Sequence, residues 1–509
     1  MSHIARSALI IAIFIGLEKL LGFVRQVIIA RQFGLTAELD AFNAANNLPD
    51  AIFVLISGGA LAIAFIPVLT QYLEQKGRPV MWEMFSLMTN LLFIFTALFA
   101  IIVAIFASQL VNISIGIAPG FDAAQKALVV DLMRLNLIAT LIFSIAGMVI
   151  AGLQANQHFF LPALARSMYD VGTLIGVVIL APQTGFTIGP ITLPAFGLGV
   201  YGLVYGTIIG AALFLLIQLP GLIHFKFRWS PLKSLRHLRQ VGQVLRVALP
   251  RIGTVFFILL ALIYIPDNIA SRLPEGSVTA LVYGWLFMQA PETLIGTAIA
   301  TALLPSISAQ IVRDELARFT RSLNHSMRAI LALTIPVSVL LAIALPPIVN
   351  ILGFDTAGTE LVVWTSRLFL VGLMGHALLE ISARGFYSQQ DAITPLWAAG
   401  LMLVTFTVLS IVLSRPLGAP GIALANAIAF TAEALLLWAL LNRQFPGVAN
   451  SRSTLRRVLP GTLIAGAVAF GILLLLPAPA LISSAAALVV GGLVVLPFIW
   501  PEIKLLIKL

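Results

Sequence analysis

The chain has no cysteine, and only 10% of its 509 residues are charged. Without thiols there is no disulfide, no thiolate metal site and no cysteine nucleophile. So little charge excludes an ordinary soluble surface, since soluble chains carry about a quarter charged residues. No polar stretch is long enough to hold a soluble domain. No G-x-x-x-x-G-K-[ST] run is present, so there is no ATP-cradling loop of that kind. No H-E-x-x-H occurs and no nucleophile–base pair stands out, which points away from an enzyme. No cofactor is expected.

What remains is apolar. The chain is 60% hydrophobic, and runs near membrane-spanning length recur along it. A transmembrane barrel would show short alternating segments instead. The fold class expected is therefore an all-α polytopic membrane protein. We count fourteen hydrophobic segments, at 8–33, 41–73, 82–108, 125–154, 159–181, 198–223, 247–270, 277–312, 327–352, 359–388, 394–414, 419–442, 455–476 and 480–503. The first does not read as a cleaved signal peptide. Its apolar region is too long, Glu18-Lys19 interrupts it, and no small-residue cleavage site follows.

A net charge of +10 would suit nucleic acid, but its placement argues for topology instead. Loops after even-numbered segments hold Lys76 and Arg78, then Lys226, Arg228, Lys233, Arg236 and Arg239, then Arg313, Arg318 and Arg321, then Arg443, Arg452, Arg456 and Arg457. Arg6, Lys504 and Lys508 flank the ends, while the other loops hold little beyond Lys126, Arg272 and Arg415. This bias places both termini in the cytoplasm of a multi-pass inner-membrane protein, with no nucleic-acid partner.

The sequence also repeats. "LVVDLMRLNL" (128–137) matches "LVVWTSRLFL" (361–370) at an offset of 233, and "GLQANQHFFLP" matches "GFYSQQDAITP" at the same offset. "GVYGL" (199–203) resembles "GAPGI" (418–422) at 219, because the loop at 182–196 is longer than its counterpart. Two pseudo-symmetric six-helix lobes of parallel topology follow, at 1–223 and 247–442, joined by a basic cytoplasmic linker at 224–246. Residues 443–509 add two helices with no counterpart. Parallel repeats are a transporter architecture, with the substrate site expected between the halves.

Ionised side chains inside a bilayer cost about 2.5–3.5 kcal/mol each on insertion scales, so they mark function or pairing. Glu18, Gly22 and Arg25 share one helical face, and Lys19 and Gln26 form the adjoining stripe. One reading is that this face lines a water-filled cavity and offers Lys19 and Arg25 to an anion. The competing reading pairs Glu18 with a neighbouring cation, and lets Arg31 snorkel to the outer interface. Repeat-equivalent Arg134 and Arg367 are expected to brace each lobe. Glu380 and Arg384 form an i, i+4 pair that reads as a structural salt bridge. His376 and Glu380 also have helical ligand spacing, a weak metal signal. Asp267 reads as an interfacial charge or a cation ligand. Asp50 after Pro49, and Glu292 after Pro291, mark helices expected to bend.

"GFVRQVIIARQFG", "DAFNAANNLPD", "AFIPVL", "GFYSQQDAITP" and "LGAPGIALA", in that order, resemble the MurJ/MviN lipid II flippase family. That family belongs to the multidrug/oligosaccharidyl-lipid/polysaccharide exporter superfamily. The resemblance implies two six-helix lobes around a cationic cavity, and a lipid-tail groove formed with the last two helices. It implies flipping of an undecaprenyl-pyrophosphate-linked peptidoglycan precursor to the outer leaflet by alternating access. Membrane lipids are implied as partners, with the cell-wall synthesis machinery a further one. The drive would be membrane potential or an ion gradient.

Some positions depart from the family pattern. Arg25 and Asp40 match, but Lys19 replaces an arginine and Gln26 an acid. Phe53 and Leu286 stand where arginines are expected, and Gln289 where a glutamate is. The implied sodium site keeps Asp267 and the Ile422 carbonyl, while Ser410 replaces an acid, Phe406 an amide and Asn426 a threonine. A flippase for another polyprenyl-linked oligosaccharide is therefore the alternative. A small-molecule antiporter and a cell-wall scaffold stand further off. The scaffold reading expects Lys19 and Arg25 paired inside a dry lobe.

Overall fold

The computed structural model describes residues 3–54, 60–230, 242, 252–476 and 479–507. Two compact units divide the chain, Met1–Phe256 and Phe257–Leu509. Lys233, Arg236 and Arg239 of the expected linker lie outside the described residues.

In the first unit the helices are α1 (His3–Phe33), α2 (Ala37–Phe53), α3 (Ala60–Lys76), α4 (Arg78–Asn112), α5 (Ala123–Ala155) and α6 (Phe160–Ile175). A π-helical turn, Gly176–Leu180, extends α6. An antiparallel hairpin follows, β1 (Thr187–Ile188) paired with β2 (Ile191–Thr192), then α7 (Val200–Leu216) and α8 (Leu219–His224). The helix starts are written locally. Thr36 accepts from the Leu39 N–H to cap α2, and Asp122 with Gln125 forms a reciprocal capping box on α5. A stripe of glycines lets α6 and α7 meet backbone to backbone. A Cβ on Gly172 would come within 2.2 Å of the Gly210 Cα, and one on Gly176 within 2.6 Å of the Gly206 Cα. Small residues spaced by four allow such close approach within a membrane, where burial in lipid drives nothing. Another side of α6 receives α1.

The helical stretch 252–259 crosses the unit boundary, and in the second unit it runs through a π turn (Leu260–Tyr264) into α9 (Ile265–Ala270). There follow α10 (Ser277–Glu292), a π turn (Thr293–Thr297), α11 (Ala298–Val312), α12 (Leu316–Asn350), α13 (Thr356–Val371), α14 (Leu373–Tyr387), α15 (Ile393–Leu417), α16 (Ala419–Gln444), α17 (Arg452–Leu475) and α18 (Ala480–Ile507). α17 and α18 pack on each other and on α12, so they fall within this unit rather than standing apart. A buried charge cluster pins them. Glu502 is fully buried and accepts from Arg328 at 3.0 Å, from the Thr454 hydroxyl at 2.8 Å and from Arg457. Arg457 also donates to the Phe498 carbonyl at 2.8 Å.

The repeat is visible in backbone detail. Asp122 and Asp355, 233 positions apart, both cap a helix, each accepting from the N–H three residues on. Arg134 donates Nε to the Ala104 carbonyl at 3.0 Å, and Arg367 donates Nε to the Ala342 carbonyl at 3.0 Å. Gln157 and Gln390 are both left-handed, at φ 59° and 62°. Gly199 and Gly418 both open a helix at positive φ, 54° and 66°.

Of the fourteen segments counted as spans, twelve helices among the described residues meet length and hydropathy for crossing a membrane, the first being Arg78–Asn112. α1 is not among them. Nor are α2 and α3, which have 17 residues each, about 26 Å at 1.5 Å per residue.

Candidate functional site

The charges of the first segment meet those of the fifth, on α6, which the sequence pattern had not singled out. α6 carries Arg166, Tyr169, Asp170 and Thr173 toward α1. Arg25 Nη1 donates to Asp170 Oδ1 at 3.2 Å and to the Thr173 hydroxyl at 3.1 Å. That hydroxyl donates in turn to the Asp170 carbonyl at 2.9 Å. The Arg25 guanidinium lies 6.0 Å from the Tyr169 ring centroid, which adds a cation–π contact. Gly22 faces the same carboxylate, since a Cβ there would lie in ordinary contact with Asp170 Oδ1, at 3.8 Å. Glu18, Gly22 and Arg25 thus face α6 together.

One turn before Asp170, Arg166 Nη1 lies 4.0 Å from Glu18 Oε2, while Lys19 Nζ lies 4.0 Å from Glu18 Oε1. Arg25 is mostly covered, at 20% exposure, and is committed to Asp170; the Lys19 side chain is 63% exposed. Arg25 is therefore held by a carboxylate rather than freely offered, and Lys19 is open. Arg166 and Asp170 were legible as charges four residues apart inside an apolar segment.

The other expected residues of this unit are dispersed. Gln26 is half-buried, Arg31 exposed and Asp40 buried. Asp40 lies in the first turn of α2, where an acid complements the helix dipole. Pro49 is buried within α2 and Asp50 after it is exposed. Asn136 of α5 donates to Asn46 of α2 at 2.7 Å, tying down the "DAFNAANNLPD" helix. The Phe53 side chain lies outside the described residues.

In the second unit, Arg384 binds the Glu380 carboxylate and donates to the Glu380 carbonyl at 2.9 Å. The i, i+4 ion pair read from the sequence is present. Glu292 accepts from the Thr297 hydroxyl at 3.2 Å across the π turn after Pro291. Leu286 is half-buried and Gln289 exposed on α10. His376 is drawn to Asn426 rather than into a ligand pair with Glu380. Its Nε2 lies 2.9 Å from Asn426 Oδ1, its ring stacks on Phe430 at 4.2 Å, and Trp285 meets it edge-on at 5.4 Å. No group of three or more metal-ligating side chains occurs among the described residues.

The implied sodium set fares poorly. α9, which carries Asp267, packs on α15 and α16, which carry Ser410 and Ile422. All three residues are buried. But Phe406 has no oxygen to offer, and Asn426 Oδ1 is engaged with His376. Ser410 Oγ has no hydrogen-bond partner among the described residues. These residues do not fit the full oxygen cage that a sodium ion takes.

A duplicated, helical, multi-pass chain with ion-paired cations set among its apolar helices has the architecture of a membrane transporter. The family described as "Lipid II flippase MurJ" matches residues 29–490, and the chain belongs to that family. It is 28% identical over 452 residues to "Lipid II flippase MurJ" of Burkholderia cenocepacia, covering 87% of this chain and 84% of that protein. It is 29% identical over 435 residues to "Probable lipid II flippase MurJ" of Rhizobium meliloti, covering 83% and 78%. Among solved structures, "Lipid II flippase MurJ, inward closed conformation" superposes with a TM-score of 0.76 at 20% identity, over 96% of this chain and 98% of that one. An inward-facing multidrug resistance MATE family transporter of the MOP superfamily superposes at 0.71 with 14% identity, over 85% and 95%. At these identities the structural likeness is one of fold.

Proposed function

We propose that this protein is a lipid II flippase. It moves the undecaprenyl-pyrophosphate-linked peptidoglycan precursor from the cytoplasmic to the outer leaflet by alternating access. The observation that carries this reading is the family match, which spans nearly the whole chain. The α1–α6 seam supports it, because exposed cations beside Glu18 suit an anionic headgroup. Lys19, Arg25, Glu18, Gln26 and Asp40 are the sequence candidates for the substrate-facing set, with Arg25 acting through its bond to Asp170.

The protein works as a secondary-type transporter and not as an enzyme. It sits in the inner membrane with both termini cytoplasmic, as the Lys and Arg bias supports. The drive is membrane potential or an ion gradient, with sodium disfavoured because Asn426 Oδ1 is engaged with His376. Contact with the cell-wall synthesis machinery belongs to the same proposal. Complementation of a bacterium depleted of its lipid II flippase is the test. Growth should be restored by the wild-type chain, and failure at normal expression sinks the reading.

A further inference from the structure

Glu18 is approached from both sides and held tightly by neither. Lys19 lies 4.0 Å from one oxygen and Arg166 4.0 Å from the other, both beyond hydrogen-bond reach. An ion pair built for stability closes to about 2.7–2.9 Å. The neighbouring Arg25–Asp170 pair is closer, at 3.2 Å, and it is also covered, with Asp170 5% exposed. The Lys19 and Arg166 side chains are 63% and 53% exposed. Arg25 faces Asp170 and also feels the charge of Asp50. Lys19 and Arg166 share the single carboxylate of Glu18 between them.

The separation suits a particular guest. Two contacts of 4.0 Å, with the carboxylate oxygens about 2 Å apart, leave the charged nitrogens no more than about 10 Å from one another. Exposed cations within a membrane protein face water or a polar guest, not lipid.

The geometry points to Arg166 as a substrate-contacting cation that closes with Lys19 on the two phosphates of a lipid pyrophosphate. Glu18 holds the two cations in place until the anion displaces it. This rests on the lipid II flippase reading. Arg166 engages one phosphate through its planar fork, and Lys19 neutralises the other as a mobile point charge. Arg25 is a positioning residue. Its bond to Asp170 fixes the register of α1 on α6, and that register brings Glu18 to Arg166, one turn earlier on α6.

The test is binding of undecaprenyl pyrophosphate to the purified full-length protein, with headgroup flipping in liposomes measured alongside. Arg166→Gln should weaken binding about tenfold or more, the range of a lost charge-assisted contact. Arg166→Lys should recover part of it. Glu18→Gln should tighten binding, because the competing carboxylate is gone. Inorganic pyrophosphate should compete with the lipid, and undecaprenyl monophosphate more weakly. If wild type binds and Arg166→Gln, folded by thermal melt, binds equally well, Arg166 is not a contact. Weaker binding by Glu18→Gln overturns the placeholder role even where Arg166→Gln does not fold. If wild type itself binds no lipid pyrophosphate, the substrate reading fails, and this inference with it.

Discussion

Asp170 accepts from Arg25 at 3.2 Å, and Asp170 is the more deeply covered of the two. Removing the arginine therefore strands a buried carboxylate. Arg25→Ala should lower stability by about 1–3 kcal/mol as well as impairing transport. Asp170→Asn, which still accepts a hydrogen bond, should be milder than Asp170→Ala. Thermal unfolding of the detergent-solubilised variants reads this. An unchanged melting temperature for Arg25→Ala would deny it a positioning role.

Glu502 gathers two arginines and a threonine from α12 and α17. Glu502→Ala should destabilise the protein by about 3–5 kcal/mol, the usual cost of leaving buried charge unpaired. Arg328→Met or Arg457→Met alone should cost less, since the carboxylate keeps one cation in each case. Fluorescence-detected gel filtration after heating would rank the three. Equal melting of Glu502→Ala and wild type would contradict the clamp.

Glu433 presents the opposite case. It is buried in α16, and its Oε2 has no hydrogen-bond partner among the described residues. A buried polar atom without a partner subtracts about 1–3 kcal/mol from stability. Glu433→Met should fold at least as stably as wild type. A melting temperature several degrees lower would show that the carboxyl has a partner it needs.

Asp391 precedes α15 in a loop. Burial pushes its carboxyl up, but the Thr394 hydroxyl and N–H and the Ile393 N–H outweigh that and hold it below the usual range. A depressed acid contributes stability above its unfolded pKa, about 3.9, and loses it as pH falls through the lower folded value. Its contribution should therefore be intact at neutral pH and vanish only in strong acid. Asp391→Ala should cost about 1 kcal/mol at pH 7, like other lost caps. The difference in melting between variant and wild type should be smaller at pH 3 than at pH 7, and a constant gap would refute the assignment.

Much of this was legible in the chain. Apolar runs specify spans because lipid cannot satisfy a bare backbone, so the helices follow hydropathy closely. The repeat was legible because its marks are local: an arginine inside an apolar run, then a glycine and a proline at one spacing; the capping aspartates Asp122 and Asp355 emerged only with the structure. The π turns after Gly176, Leu260 and Thr293 were not legible, since they arise from packing along an otherwise continuous helix.

Sequence alone determined the membrane class, the duplication, the order of helices and the presence of Glu18, Lys19 and Arg25 in one of them. Each follows from periodicity and composition, which act over a few turns of one helix. Only the tertiary structure decided what those charges meet. Asp170 lies 145 positions from Arg25, Glu502 lies 174 from Arg328, and Asn426 lies 50 from His376. Coulomb attraction falls with distance in space and is blind to distance along the chain, so Arg25 could read as a free cation in the sequence and be a paired one in the fold.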